Sequence, residues 1–149
     1  MIRGLDHATD AEACDAIIAS LPGWFGMEEG IRDCATAVRS EEGFVADQDG
    51  EVRAFLTWVE AAGTGEITWM ASHADHRRRG LGRDLIEALA TTLRERGVSE
   101  LRVKTLSSRH PDPGYGQTRA FYSTMGFEVI AELDIWGPEN PCALLALPL

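Results

Sequence analysis

Between residues 67 and 105 the hydrophobic period changes twice, and this restricts the fold more than any other part of the chain. Ile67–Ser72 is a short strand-like run. Leu81, Leu85, Ile86, Leu89 and Leu93 then recur at helical spacing toward Arg96, with Gly97 as a natural C-terminal cap. Leu101, Val103 and Thr105 next alternate with Arg102 and Lys104, the pattern of a strand with one polar face. Strand, helix and strand in succession call for a crossover between parallel neighbours of one sheet.

The link into that helix reads Arg77-Arg78-Arg79-Gly80-Leu81-Gly82, followed by Arg83. Glycines at 80 and 82 let backbone come close to phosphate oxygens, and a helix start adds unpaired N–H groups and its dipole. The arginines add charge-assisted bonds. Two readings stay open for the segment by itself: a pyrophosphate cradle, or a solvated basic turn that begins a helix.

Around this core, Ile2–Asp6 is an expected first strand. Thr9 or Asp10 is the expected N-cap of a helix carrying Ala13, Cys14, Ile17, Ile18 and Leu21, ended by Pro22-Gly23. Trp24-Phe25-Gly26 forms an aromatic loop, and a second helix over 28–40 places Ile31, Cys34, Ala35 and Val38 on one side. Strand-like runs at 43–47 and 51–59 flank Gln48-Asp49-Gly50, a hairpin signal. Residues 61–65 read as a turn, 107–116 as a loop, and 118–125 as a short helix ended by Gly126. Phe127, Val129, Ala131, Leu133 and Ile135 alternate as a strand, 138–141 turn, and Cys142–Leu147 is a last apolar strand. The expected class is α/β (α+β): a mixed, mostly antiparallel twisted sheet of seven strands with four helices, in the order β-α-α-β-β-β-α-β-α-β-β. All 149 residues read as a single domain, 1–149.

Cys14, Cys34 and Cys142 are far apart and contain no Cys-x-x-Cys pair, so they read as reduced, buried residues rather than a disulfide framework or zinc site. No apolar segment approaches the roughly 20 residues of a membrane span, and no basic, apolar leader opens the chain, so a cytoplasmic location is expected. The net charge of −10 argues against nucleic acid. Residues 1–66 hold 4 basic and 14 acidic side chains while 67–149 hold 10 of each, so the first part suits a cationic ligand and the second an anionic one. Acidic excess for solubility is the plainer explanation of the same asymmetry.

These residues resemble the GNAT acetyltransferases over nearly the whole chain. Arg77, Gly80 and Gly82 match the family's Gln/Arg-x-x-Gly-x-Gly/Ala, and Phe121, Tyr122, Gly126 and Phe127 match its later Phe-Tyr-x-x-x-Gly-Phe. Trp24-Phe25-Gly26, Lys104-Thr105-Leu106, Thr118 to Tyr122, and Trp136 with Asn140-Pro141 are similar to small bacterial stand-alone members. The resemblance implies the GNAT fold and acetyl-CoA as co-substrate, with no metal. It implies that backbone at Met70, Ala71 and Ser72 holds the pantetheine amides, and that the segment Arg77 to Arg83, with Gly80, Leu81 and Gly82, holds the pyrophosphate; Arg78 and Arg79 occupy variable positions of the fingerprint, and their part is expected from charge. Glu66, eleven residues before Arg77, stands where lysine-directed relatives keep a general base, with Glu60 as second candidate and a solvated glutamate as the alternative. Such a base is needed because only a neutral amine attacks a thioester.

Tyr122 matches the tyrosine that protonates the departing thiolate; the alternative is a helix aromatic packed beside the cofactor. An asparagine often found seven residues before that tyrosine is Tyr115 here. His73 and His76 around Asp75 read as surface histidines rather than metal ligands. Trp24, Phe25 and Glu28 would line the acceptor site, with core packing as the alternative for the aromatics. The implied activity is N-acetylation of a primary amine, small molecule or protein, probed against two rivals: a non-catalytic acyl-CoA-binding or regulatory module, and nucleotide binding unrelated to coenzyme A. A homodimer is in keeping with the superfamily.

Overall fold

Asp49 and Gly50 both take positive φ, 55° and 84°. These are the two left-handed positions of a type I′ turn, whose twist matches the strands it joins. In the computed structural model, which describes residues 1–21, 28–76, 80–109 and 113–149, the elements run β1 (Ile2–Gly4), α1 (Ala11–Ala19), α2 (Glu28–Ser40), β2 (Glu42–Gln48), β3 (Glu51–Ala61), β4 (Thr64–Ser72), a 3-10 turn (Ala74–His76), α3 (Leu81–Glu95), β5 (Glu100–Leu106), α4 (Pro113–Thr124), β6 (Glu128–Leu133) and β7 (Cys142–Pro148). The strands form one mixed sheet in the order β1-β2-β3-β4-β5-β7-β6. β2 pairs antiparallel with β1 and β3, and β7 with β5 and β6. Class and element order are those expected. Among the described residues no helix is long and apolar enough to cross a membrane. The chain divides into two compact units, residues 1–59 with 67–92, and residues 60–66 with 93–149.

In the first unit Cys14, Ile17 and Ile18 of α1 and Cys34 and Val38 of α2 pack with Val45, Phe55 and Ala71 of the strands, and Trp69 closes the cluster. The helical period of both segments predicts this, with one exception. Ile31 is exposed, and Ala37 takes the buried position instead. Asp10 does stand at the N-cap position of α1, but its carboxylate makes no bond to the helix. It is buried and accepts two bonds from Arg3, at 2.7 and 2.9 Å, and one from the Asp6 N–H at 2.8 Å. A bidentate guanidinium outcompetes a helix amide for a carboxylate, and it holds the Asp10 carboxyl below its ordinary range.

In the second unit α3 ends in a Schellman motif, with Val98 N–H on the Leu93 carbonyl and Gly97 N–H on that of Arg94. β4 begins at Thr64 rather than Ile67, after a two-residue turn of Ala62 and Gly63. Gly65 belongs to the strand because its missing Cβ leaves space for Leu93: a Cβ there would lie 2.7 Å from Leu93 Cδ1. α4 likewise begins at Pro113 rather than Thr118. Proline suits the first turn of a helix, so Pro113-Gly114 opens the helix instead of ending the loop. β6 departs furthest from expectation. Its alternation predicts a half-buried strand, yet Val129 and Ile130 are exposed and a register shift falls between Val129 and Ala131. As the last strand of the sheet it has a neighbour on one side only, and a bulge there re-aims its side chains.

Candidate active site

β4 leads into the 3-10 turn with two ties that fix its exit. His73 N–H donates to the Arg53 carbonyl at 2.8 Å, and Ala74 N–H donates to Ser20 Oγ at 3.1 Å at the end of α1. Of the residues expected to hold pantetheine, Ala71 is buried while Met70 and Ser72 are half-buried. Gly80 has φ 77°, and its carbonyl accepts the first helical bond of α3, from Asp84 N–H at 3.1 Å. The left-handed φ accounts for the glycine, since a Cβ there would meet nothing within 4 Å. The amides of Leu81, Gly82 and Arg83 lie ahead of that bond, where a helix presents N–H groups to an anion, and the exposed Arg83 adds charge. This backbone suits a pyrophosphate. Arg77, Arg78 and Arg79, and also Trp24 and Phe25, lie outside the described residues. Glu28 is the first residue of α2.

A second feature of this unit has no signature in the sequence. Thr68 Oγ1 on β4 donates to Glu41 Oε1 at 2.5 Å, and Thr57 Oγ1 on β3 lies 2.7 Å from Thr68 Oγ1. Thr57 is fully buried, so its hydroxyl needs this partner. The chain of hydroxyls fastens the segment after α2 to the middle of β4. The partners lie eleven and twenty-seven residues apart, and only the register of the strands brings them together.

In the second unit Glu66 lies within β4 and pairs with Lys104 Nζ of β5 at 3.3 Å, both side chains about one-third exposed. Glu60 pairs with Arg96 instead. Glu66, the candidate base, is thus a strand residue with a cation partner and a partly exposed side chain. Cys142 is buried on β7, and burial pushes its thiol up, while Lys104 and Glu66 act on it in opposite directions. All three cysteines are free and buried, as expected.

Tyr122 is 5% exposed, its ring 5.3 Å from those of Phe121 and Phe127 and edge-on to both. Burial alone pushes its phenol well above the ordinary value of 10. An apolar wall disfavours phenolate. Arg119, three residues earlier on α4, donates from Nη1 to the carbonyls of Leu106 at 2.9 Å and Ser107 at 3.0 Å. His73 accepts the Asp75 N–H on Nδ1, and among the described residues no group of three His, Cys, Asp or Glu could hold a metal ion.

A family model described as an acetyltransferase (GNAT) domain matches residues 39–129, a span containing β4, the glycine turn, α3, β5 and Tyr122. The chain belongs to the GNAT acetyltransferase family. It is an acyltransferase, and solved structures share its fold end to end. A Desulfovibrio desulfuricans chain assigned to the GNAT family superposes with a TM-score of 0.87 at 20% identity, covering 99% of this chain and 98% of that one. The ribosomal-protein-S18-alanine N-acetyltransferase of Escherichia coli gives 0.81 at 24% identity, covering 99% and 92%. An aminoglycoside 6'-N-acetyltransferase complexed with coenzyme A gives 0.76 at 15% identity, covering 99% and 96%. At such identities the likeness concerns the fold. No curated protein matches the sequence of this GNAT chain.

Proposed function

We propose that this GNAT protein is an acetyl-CoA-dependent N-acetyltransferase acting, as one domain over residues 1–149, by direct transfer on the primary amine of a cationic acceptor. The observation that carries the reading is the start of α3: a left-handed Gly80, its carbonyl closing the first helical bond, and the amides of Leu81, Gly82 and Arg83 ahead of it, directly downstream of β4. Acetyl-CoA supplies the acetyl group as a thioester. The amides at 81–83, with Arg77, Arg78 and Arg79, bind its pyrophosphate, and backbone of Met70, Ala71 and Ser72 binds the pantetheine arm. A fold neighbour has been solved with coenzyme A, which supports this assignment.

Glu66, paired with Lys104, takes a proton from the acceptor's ammonium, directly or through water. Backbone N–H groups of β4 stabilise the developing oxyanion. Tyr122 then gives its phenolic proton to the sulfur. Its raised proton affinity keeps the phenol protonated at every physiological pH. The acidic first part of the chain favours a cationic acceptor.

The test is a thioester-cleavage assay with acetyl-CoA and a panel of amines: spermidine, an aminoglycoside, an alanine-initiated peptide and a lysine-bearing peptide. Saturable release of free thiol, dependent on one of these amines and matched by acetylated product, is the expected result. Binding of acetyl-CoA without transfer to any amine would instead establish a non-catalytic acyl-CoA-binding module.

A further inference from the structure

α4 carries both Tyr122 and, three residues earlier, Arg119. Gly114 and Gly116 in its first turns weaken it, and among its described side chains only Tyr122 is fully buried. One polar tie is Arg119, whose guanidinium bonds the carbonyls of two successive residues where β5 ends. Those carbonyls sit in a segment where Thr105, Leu106 and Ser107 are all buried, and Ser107 N–H closes onto the Pro141 carbonyl at 2.8 Å. The β5 ladder with β7 ends at Leu106 opposite Cys142, so Arg119 grips the strand at its last paired residue.

We infer that Arg119 is the positioning residue for Tyr122, locking the height and rotation of α4 against β5 and so fixing where the phenol points. Residues three apart on a helix share a face, so the guanidinium and the phenol leave the same side of α4. A planar guanidinium that reaches two acceptors resists both rotation and sliding of the helix, which a single contact does not. Downstream, the turn at Gly126 and the bond from Phe127 N–H to the Tyr122 carbonyl at 3.0 Å hold the other side of the tyrosine, so Arg119 supplies the upstream half of the clamp. The inference rests on the proposed role of Tyr122 as acid.

The experiment is a double-mutant cycle of Arg119→Gln and Tyr122→Phe, with Arg119→Lys as the conservative variant, assayed with acetyl-CoA and the panel amine that supports turnover. Misplacement of a catalytic group by about 1 Å can cost about 100-fold in rate. Arg119→Gln is therefore expected to lower kcat by roughly tenfold to 100-fold with KM for acetyl-CoA unchanged, and Arg119→Lys, which keeps one donor, to fall in between. In the Tyr122→Phe background Arg119→Gln should remove nothing further, because its effect passes through the phenol. If Tyr122→Phe is slow and Arg119→Gln multiplies that loss, or if Arg119→Gln alone is at full rate, the positioning role is wrong. If Tyr122→Phe itself retains full rate, the acid assignment fails, and the positioning role fails with it. Should Arg119→Gln not fold, the same cycle run with Arg119→Lys decides between these outcomes.

Discussion

Cys14 and Cys34 belong to the buried core cluster of the first unit, 0% and 2% exposed, and burial pushes each thiol from an ordinary 9.0 up to about 12. The sign of the consequence is fixed by linkage. The folded thiols keep their protons where unfolded ones would lose them, so their contribution to stability is complete below pH 9 and is lost as pH rises toward 12. The rise from 9.0 to about 12 corresponds to about 4 kcal/mol per thiol in full. At pH 10 one unit of that is spent, so the two thiols together remove about 3 kcal/mol relative to pH 8, against a typical total of about 5–15 kcal/mol. Neighbouring negative charge adds to the burial effect, from Asp15 on both thiols and Glu41 on Cys34. The assay is urea denaturation under reducing conditions at pH 8, 9 and 10, followed by tryptophan fluorescence. Wild type should weaken steeply across this range. The double variant Cys14→Ala, Cys34→Ala, though less stable at pH 8 because methyl-sized cavities remain, should weaken by about 3 kcal/mol less. Parallel pH profiles for the two proteins would refute the placement of both thiols in a dry core.

Further outcomes follow for the site and the sheet. Tyr122→Phe leaves the ring packing on Phe121 and Phe127 intact, so it should fold normally and lose about 100-fold or more in kcat; an undiminished rate at every pH would remove Tyr122 as acid. Glu66→Gln should reduce kcat/KM at pH 7 and recover as pH approaches the amine's own pKa of about 10, where neutral acceptor no longer depends on a base; the absence of recovery would count against deprotonation as its role. Gly43→Ala places a Cβ 2.6 Å from the Leu56 carbonyl oxygen, a backbone atom that cannot yield. Gly65→Ala meets side-chain ends, those of Leu93 and Leu101. The first should lower Tm well beyond the second, with about 1–3 kcal/mol for overpacking as the scale, and a reversed order in thermal melts would contradict the packing described.

What the sequence made legible was governed by local rules. Asp49-Gly50 specifies a type I′ hairpin because both residues tolerate left-handed φ, and the leucine period of α3 specifies a buried stripe that all five apolar positions occupy. The glycine turn was readable because Gly80 answers a backbone requirement. The errors arose where distant partners decide. Asp10 looks like a helix cap until Arg3 claims it. Gly65 looks like turn until Leu93 shows why a strand needs no side chain there. The alternation of β6 predicts burial, but position at the end of the sheet exposes Val129 and Ile130. At the site, the motif spacing singled out Glu66 and Tyr122, whereas Lys104, Thr68 and Arg119 carry no local sign of their partners. Those pairings span 38, 27 and 13 residues and exist only once strand register is set.

The central claim is that the turn opening α3 accepts coenzyme A, and thermal unfolding with ligand tests it directly. Acetyl-CoA at about 100 times its Kd should stabilise the protein by about 2.7 kcal/mol, with coenzyme A acting similarly and ATP leaving the melt unchanged. Stabilisation by ATP with no response to acetyl-CoA would contradict the account and return the turn to a nucleotide site of another kind.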